Sequence, residues 1–490
     1  MDKKWVAIIR AETKGYPINP PFHPPDKYPE YQFSELDKSN AVYPAVRELL
    51  QKLGLDEENY DTPQWNPFKE MIQPGDTVVI KPNLVLDAHA EGEDIYSIIT
   101  HPSVIRALVD YCVIALNKKG NLIIADTPIG HCDFDHLLKV TQLPSIAEFY
   151  QKNLGFHIDI YDMRKAMYPL NEFQFTECDS RVTLNGDPNG YTLVDLGKLS
   201  QLGAIPTPGR FQGTDYNRQE TIKHHFGDRH EYLIPNTILH ADVVISVPKL
   251  KVHKKAGVTL NLKNMVGISG DKNYLPHFQL GSPKSGGDEI PDNLSLKLRL
   301  QLRILRFASD YFLSKHSALL DKFVKTAARF LQRLNKNFMN DYNKKISPGN
   351  WYFNDTIWRV LIDLNRILLY ADKDGSLKHE QKRKYFSLID GIIGGEQEGP
   401  LNPKPKPCGV LVGGLDPFLV DITATTLMGF DYRKMPQYRN IPSLKSYKIS
   451  DFTEHDITLM TNAVEFEGLF AHKDSRYFDF TPPSGWKGYL

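Results

Sequence analysis

Short apolar runs alternate along the chain with segments in which apolar residues recur at helical spacing. The runs are rich in Val and Ile, which is typical of buried strands, and most of them end in polar residues with Pro or Gly. Strand, helix and strand at this spacing form a βαβ unit, whose two strands are parallel. The pattern predicts strands at 6–9, 77–80, 122–125, 241–247, 385–389 and 408–412, and helices at 42–54, 102–117 and 417–428.

The predicted fold is α/β, with parallel or mixed sheets, flanking helices and an inserted basic amphipathic helical segment. Residues 297–345 contain twelve Lys and Arg against three Asp and Glu, with apolar residues at helical intervals. Three roles stay open for this segment: a cap packed on the body, contact with an anionic membrane surface, or a lid over an anionic ligand. The predicted regions are an N-terminal α/β region at 1–240, a Lys/His loop and strand at 241–292, the helical insertion at 293–375 and a C-terminal α/β region at 376–490.

Composition narrows the class of protein. Lys plus Arg and Asp plus Glu each total 59, so the net charge is zero, which excludes a globally basic nucleic-acid binder. The four cysteines include no C-x-x-C pair, so we expect no iron–sulfur cluster and a reducing environment. The N-terminus lacks the pattern of a secretion signal, and no apolar stretch reaches the roughly 18 residues of a membrane span. We therefore expect a soluble, cytoplasmic protein without a transmembrane segment.

Polar side chains follow the first two strands of the predicted βαβ unit. Lys81 and Asn83 come at the end of one strand, and Asp126 ends the next. In parallel sheets, ligands bind beyond the carboxyl ends of the strands. We therefore predict that Lys81 and Asn83 line a substrate-binding or anion-binding site.

The segment 249–267 holds the strongest chemical signal in the chain. Lys249 and Lys251 follow a strand, and they are interpreted as anion-binding residues or, for Lys251, as part of a solvated face. His253 is a candidate acid, base or ligand, since its pKa is ordinarily near neutrality, although a capping or core histidine fits as well. Lys263 lies in an apolar stretch next to Asn264, so it needs an anionic partner, a lowered pKa or a covalent attachment. A structural ion pair is the alternative for Lys263.

A second group of residues is acidic. Asp390 and Glu396 lie in a segment with four glycines between 390 and 400, predicted as a loop whose N–H groups hold an anion. Asp416 follows the next strand. The three carboxylates are predicted to bind a divalent metal or to act as a base, while a helix cap is the alternative for Asp416. His131 follows the strand that ends at Asp126, in a loop where it is a further candidate for chemistry.

Several motifs together resemble the domain-of-unknown-function family 362 (DUF362). The family resemblance implies no activity by itself. Many relatives in that family carry a ferredoxin-like module, for which this chain has no cysteine spacing. The matching motifs are VIKPN at 79–83, THP at 100–102, ADVVISVPKLKVH at 241–253, AGVTLNLKN at 256–264, DG at 390–391 with Glu396 and GP at 399–400, and DP at 416–417 with Asp421.

The stretch from His253 through Ala256-Gly257 to Lys263 is similar, more distantly, to a segment of nickel-dependent lactate racemases. That segment supplies an acid/base histidine and the lysine that tethers the nickel-pincer nucleotide. The resemblance implies that Lys263 corresponds to the tether and that His253 and His131 form the proton-transfer pair. In this sequence Thr259-Leu260-Asn261-Leu262 precede the lysine in place of small residues, which favours a shared fold over a shared cofactor.

Two hypotheses about function follow. The first is an enzyme that acts on a small carboxylate or phosphate, with isomerase or redox chemistry at a carbon like that of a hydroxy acid. Its cofactor is unknown, with a divalent metal or a lysine-linked nickel-type cofactor as candidates. The second is a non-catalytic binding or scaffold protein that docks through the basic helices, including peripheral contact with a membrane through 297–345.

Overall fold

The computed structural model describes residues 2–170, 180–206, 209–213, 217–294, scattered positions between 296 and 326, 348–471 and 478–490. The strands are β1 (Trp5–Arg10), β2 (Thr77–Pro82), β3 (Asn121–Asp126), β4 (Ile158–Asp162), β5 (Ala166–Met167), β6 (Val182–Thr183), β7 (Tyr191–Asp195), β8 (Phe211–Gln212), β9 (His225–Phe226), β10 (Arg229–Pro235), β11 (Val243–Val247), β12 (Lys249–His253), β13 (Gly257–Val258), β14 (Phe278–Gln279), β15 (Lys384–Glu398), β16 (Asn402–Gly414) and β17 (Thr458–Thr461). The α-helices are α1 (Val42–Lys52), α2 (Pro102–Leu116), α3 (Phe134–Thr141), α4 (Pro144–Leu154), α5 (Arg218–His224), α6 (Asn236–Leu239), α7 (Asn261–Asn264), α8 (Ile357–Tyr370), α9 (Pro417–Leu427) and α10 (Pro436–Arg439).

A mixed sheet forms the centre of the molecule. Its strand order is β17-β1-β16-β15-β11-β2-β3-β4, and β12 and β13 extend from the carboxyl end of β11 alongside β15. β16 runs antiparallel to both β1 and β15, whereas β11 pairs in parallel with β15 and β2, and β2, β3 and β4 are parallel. The predicted α/β class, with a parallel or mixed sheet and flanking helices, is confirmed. Strands from the first, second and fourth predicted regions share this one sheet.

Both faces of the sheet are covered by helices. Alternate residues of β1 point to opposite faces: Val6 and Ile8 belong to one core, Ala7 and Ile9 to the other. Helices α1 and α2 pack on the Ala7 side, and α8 and α9 pack on the Val6 side. Because strands buried on both faces read as continuous apolar runs, the Val- and Ile-rich segments were strong strand signals.

The glycine-rich segment 390–400 is not the loop that its composition suggested. It is the second half of strand β15, which pairs with β16 up to Glu398. The glycines are needed because other backbone passes close by: a Cβ on Gly391 would lie 2.8 Å from the Val410 carbonyl oxygen, and one on Gly394 would lie 3.0 Å from that of Leu250. Its N–H groups therefore serve the sheet rather than forming an anion-binding loop.

The prediction of two basic helices over 297–345 falls largely outside the described residues. Among the positions that are described, Leu296, Leu300, Ile304 and Phe307 are helical. None of the helices in the described part of the chain combines the length and the apolar character that crossing a bilayer requires.

Candidate functional site

The carboxyl ends of β2, β3 and β11 meet at one edge of the sheet, where the chain places most of its buried lysines. Lys81 lies at the end of β2 and Asp126 at the end of β3. β12 begins just after β11, and its alternation turns Lys249, Lys251 and His253 to one side while the residues between them join the apolar core. Lys81 and Asn83 therefore lie at the end of β2, and Lys249 and Lys251 lie on the strand that continues from β11.

Lys81 forms a buried ion pair with Asp126. Its Nζ lies 2.8 Å from Asp126 Oδ1, 3.0 Å from Asn264 Oδ1 and 2.9 Å from the Pro82 carbonyl oxygen. The Asn264 amide donates back to the Lys81 carbonyl at 3.1 Å. The backbone of Gly267 passes so close that an added Cβ would collide with Asp126 Oδ1 and Lys81 Nζ. Lys81 and Asn264 thus tie helix α7 to the sheet edge.

Lys249 and Asp390 form a second buried pair. Lys249 Nζ lies 3.0 Å from Asp390 Oδ2, and both side chains are fully buried. The Tyr16 hydroxyl donates to Asp390 Oδ1 at 2.6 Å and contacts Lys249 Nζ. The backbone N–H of His101 donates to Asp390 Oδ2 at 3.0 Å. Because the lysine and the carboxylate neutralise each other, this pair anchors the N-terminal loop rather than presenting a free charge.

Two further lysines are buried against neutral oxygens. Lys251 Nζ donates to Asn83 Oδ1 at 3.2 Å and to the carbonyls of Ile98 at 2.5 Å and Pro400 at 3.2 Å. Lys272 Nζ donates to the carbonyl and hydroxyl of Thr127 at 2.9 and 2.5 Å. Burial, followed by the charge of Lys263, lowers the pKa of Lys251 well below its ordinary value. The N–H groups of both lysines are therefore already committed to neutral oxygens.

Lys263 differs from these neighbours. It is half-buried, as are Val266 and Gly267, so the cluster meets solvent here. Among the residues that the structure describes, its amine has no hydrogen-bond or ion-pair partner. Burial, and then the charges of Lys81 and Lys255, lower its pKa from 10.5 to about 7. Lys263 therefore carries an uncommitted amine that is partly neutral at physiological pH.

The position of Lys263 is fixed by a carboxylate on another helix. Asp421 of α9 accepts hydrogen bonds from the backbone N–H groups of Asn261 at 2.7 Å and Leu262 at 3.0 Å. These are the first two residues of α7, so Asp421 caps the short helix that carries Lys263. Leu260, just before the helix, has φ of 71°, a strained value for a residue with a side chain. Strain of this kind persists where the surroundings hold the backbone, as they do here.

Hydrogen bonds to the backbone fix the tautomers of two buried histidines. His253 Nδ1 accepts from the N–H groups of Lys255 at 3.0 Å and Ala256 at 3.3 Å, so the proton of the neutral ring lies on Nε2. His277 Nδ1 lies 2.8 Å from the Leu275 carbonyl and must donate to it, which leaves a lone pair on Nε2. Burial and then the charge of Lys263 lower both pKa values, that of His277 to about 3. One ring is thus a donor and the other an acceptor at neutral pH.

The structure does not gather the predicted acidic residues. Asp390 and Glu396 are six residues apart on one strand, roughly 20 Å at the spacing of extended chain. Glu396 binds Lys406 at 2.9 Å, and Asp416 caps α9 through the N–H groups of Phe418 and Leu419 at 3.0 Å. Within the described ranges, no three His, Cys, Asp or Glu side chains are placed to hold one metal ion.

A metal ion also fits poorly beside Lys263. The nearby charges that act on its pKa are lysines, which repel a cation, and His253 Nε2 carries a proton where a metal ligand needs a lone pair. Lys263 itself fits a covalent attachment. The residues beside Lys263 therefore do not fit a nickel-type cofactor or another metal ion.

Sequence reasoning missed three residues of the site. His277, Lys272 and Tyr16 lie in or beside loops with no repeating pattern, and folding alone brings them to the cluster. His131 is half-buried in the loop after β3. The pKa of His253 is lowered by burial and by the charges of nearby residues, namely Lys263, Lys251, Lys255 and His277. His277 is therefore a histidine that lies close enough to His253 to affect its pKa.

Comparison with protein families gives one match. Residues 198–426 match the model described as "Domain of unknown function (DUF362)". This part of the chain is similar to the DUF362 family. The match takes in Lys249, Lys251, His253, Lys263 and Asp390, whereas Lys81 and the other groups contributed by β2 and β3 lie before it. Comparison with curated proteins and with solved structures gives no match.

Proposed function

We propose that the chain is an enzyme that acts on a small anionic substrate, a carboxylate or a phosphate, at the lysine cluster around Lys263. The observation that carries this proposal is the uncommitted Lys263 amine among buried lysines whose own N–H groups are satisfied. A buried excess of positive charge is costly unless an anion offsets it. A bound carboxylate or phosphate supplies that offset at the point where the cluster meets solvent.

The chemistry that suits these groups is proton transfer at a carbon next to a carboxylate, as in isomerisation of a hydroxy or oxo acid. Lys263 offers an amine of lowered pKa, His253 an N–H donor for a developing oxyanion, and His277 a lone pair that accepts a proton. Lys255 and the partly protonated Lys272 raise the local positive potential, which favours the charge that builds up on the substrate's carboxylate.

Titration calorimetry and exchange in D₂O test this function. At least one of inorganic phosphate, lactate and pyruvate should bind saturably, at one site per chain. Binding should fall about tenfold or more in Lys263→Met, since one ion contact to a buried charge is involved, and should be unchanged in the exposed control Lys152→Met. Deuterium should enter the carbon next to the carboxylate of a bound acid and should do so far more slowly in His253→Gln. Absence of saturable binding by every anion would contradict the proposal.

A second candidate function, docking on an anionic membrane surface, has its own supporting observation. Four helical residues expose large apolar side chains: Leu296 is 85% exposed, Leu300 59%, Ile304 48% and Phe307 74%. Their spacing of four, four and three residues puts them on one side of a helix. The sequence 297–345 adds twelve basic residues against three acidic ones, which complements anionic lipid.

Sedimentation with lipid vesicles tests the docking candidate. The protein should pellet with vesicles that contain phosphatidylserine and not with pure phosphatidylcholine vesicles. The double variant Leu300→Glu/Phe307→Glu should lose binding, whereas Leu193→Glu, at an exposed apolar position elsewhere, should keep it. Equal sedimentation of both variants, or no sedimentation of the unmodified protein with phosphatidylserine vesicles, would exclude the membrane as the partner.

A further inference from the structure

We propose that Lys263 forms an imine with its substrate, which is an aldehyde or ketone that also carries a carboxylate or phosphate. This inference rests on the proposed anionic site and adds the substrate's reactive group. Lys263 is the nucleophile, and the lone pair on His277 Nε2 accepts a proton from the substrate's carbon.

The geometry separates Lys263 from the other lysines of the cluster. Lys272 is the closest comparison, because burial lowers its pKa to about 7 as well. The Lys272 ammonium donates to both oxygens of Thr127, and the carbonyls of Val266 and Ser269 lie 3.4 Å away. Its amine would have to break those bonds to attack a carbonyl carbon. Lys263 is half-buried and uncommitted, so it can react without such a loss.

The surroundings of Lys263 favour an anionic carbonyl compound over a neutral one. Imine formation needs a neutral amine, which burial and then the charges of Lys81 and Lys255 favour, and these same charges attract a carboxylate or phosphate. The lysine side chains Lys81 and Lys255 therefore serve both steps. A substrate with an acid group is drawn in and meets an amine that is already able to attack.

The covalent step balances without any co-reactant. The neutral Lys263 amine attacks the carbonyl carbon, and one N–H proton moves to the carbonyl oxygen to give a carbinolamine. The C–O bond then breaks, the oxygen leaves as water after taking up a second proton, and a C=N bond remains. Solvent supplies that second proton, and the neutral His253 ring keeps its Nε2–H and donates a hydrogen bond to the departing oxygen. The iminium so formed acidifies the neighbouring C–H, which is the bond that isomerisation must break.

Reductive trapping tests the inference on the full chain. Glyoxylate or pyruvate is added at pH 7 with cyanoborohydride, whose hydride converts C=N to a stable secondary amine, and the modified lysines are mapped by mass spectrometry. Lys263 should be labelled at least about tenfold more than Lys272, whose amine is hydrogen-bonded, or the exposed Lys152, since the amine of an ordinary exposed lysine is protonated at pH 7. Phosphate should suppress the label, and acetaldehyde, which has no acid group, should label Lys263 far less than glyoxylate.

The variant Lys263→Arg keeps the positive charge and removes the nucleophile. It should bind phosphate in the calorimeter and give no adduct, and its circular dichroism spectrum shows whether it is folded. If wild-type protein binds the anions but Lys263 is labelled no more than Lys152, the imine is excluded while the anionic site stands. If no anion binds at all, the proposed function fails together with the imine.

Discussion

Lys263 and Lys272 have the same lowered pKa, but only the amine of Lys263 is available to react. Burial is the main cause in both cases, and both amines are partly neutral at pH 7. Hydrogen bonds to Thr127 commit the Lys272 amine, whereas Lys263 has no such bonds among the described residues. The presence or absence of nearby acceptors, rather than the pKa, therefore decides which lysine is available for chemistry.

Replacing Lys263 by Met should stabilise the fold in a pH-dependent way. The folded pKa is about 7 and the unfolded value 10.5, so the unfolded chain binds more protons between these values and wild-type stability rises with pH across that window. The variant removes the cost of the buried charge and should gain about 2 kcal/mol at pH 6, less at pH 9, since the side chain is partly exposed. Urea unfolding at both pH values measures this difference.

The exposed control Lys152→Met should change the free energy of unfolding by less than about 0.5 kcal/mol at either pH. A Lys263→Met variant that is less stable than wild type at pH 6, or whose gain does not depend on pH, would contradict the lowered pKa.

Individual residues of the site were predictable where they lay on a pattern. Lys81 and Asn83 follow a clear strand, and Lys249, Lys251 and His253 alternate along another. Burial lowers the pKa of Lys263 to about 7, which is one of the outcomes that its apolar surroundings suggested. His277 and Lys272 had no such signal, because their loops acquire meaning only when α7 and the strand ends pack against them.

At the scale of elements, the four-residue helix α7 depends on its neighbours. Helices this short are unstable alone, because the first turn fixes several residues for a single hydrogen bond. Asp421 compensates by accepting from Asn261 and Leu262, and the Tyr438 hydroxyl also donates to it at 3.2 Å. In the sequence Asp421 stands in a family motif; the structure shows that it caps α7, the helix that carries Lys263.

Removing this cap with Asp421→Ala should destabilise the fold by about 3 kcal/mol, because it leaves buried N–H groups without acceptors. It should also change the reactivity of Lys263 toward an amine reagent, since α7 loses its anchor. Asp416→Ala is the matched control, as Asp416 caps α9 through two N–H groups. The control should lose stability and leave Lys263 reactivity unchanged; equal effects on Lys263 in both variants would assign Asp421 a purely structural role.

Strand β15 shows where composition misled the prediction of an element. Glycine is depleted in strands because it adds flexibility and no packing. In this chain Gly391, Gly394 and Gly395 allow backbone and side chains of neighbouring segments to approach within van der Waals distance. That requirement comes from the packed molecule, so the local sequence signals a loop.

At the scale of the whole molecule, the sheet joins parts that are far apart in sequence. β1 pairs with β16, and β2 pairs with β11, so strands before the DUF362 match flank strands inside it. The Lys81–Asp126 pair also lies before the match yet contacts Asn264 within it. The matched segment is therefore a part of one sheet rather than a self-contained unit.

A fragment of residues 198–426 should consequently fail to fold on its own. It would expose the edges of β11 and β16 that β2 and β1 cover in the full chain. We expect no cooperative thermal transition by circular dichroism and aggregation in sedimentation, with the full chain as control. A sharp transition of the isolated fragment would contradict this dependence.

The acylation of Lys263 as a function of pH, with and without inorganic phosphate, tests the central claim most directly. Trace acetic anhydride with quantitative peptide mapping gives the pKa of each lysine amine. The midpoint for Lys263 should lie at about 7 in the free protein and should rise when phosphate binds, because an anion stabilises the ammonium form. A midpoint near the ordinary lysine value of about 10.4, or one that phosphate leaves unchanged, would contradict an anionic site at Lys263.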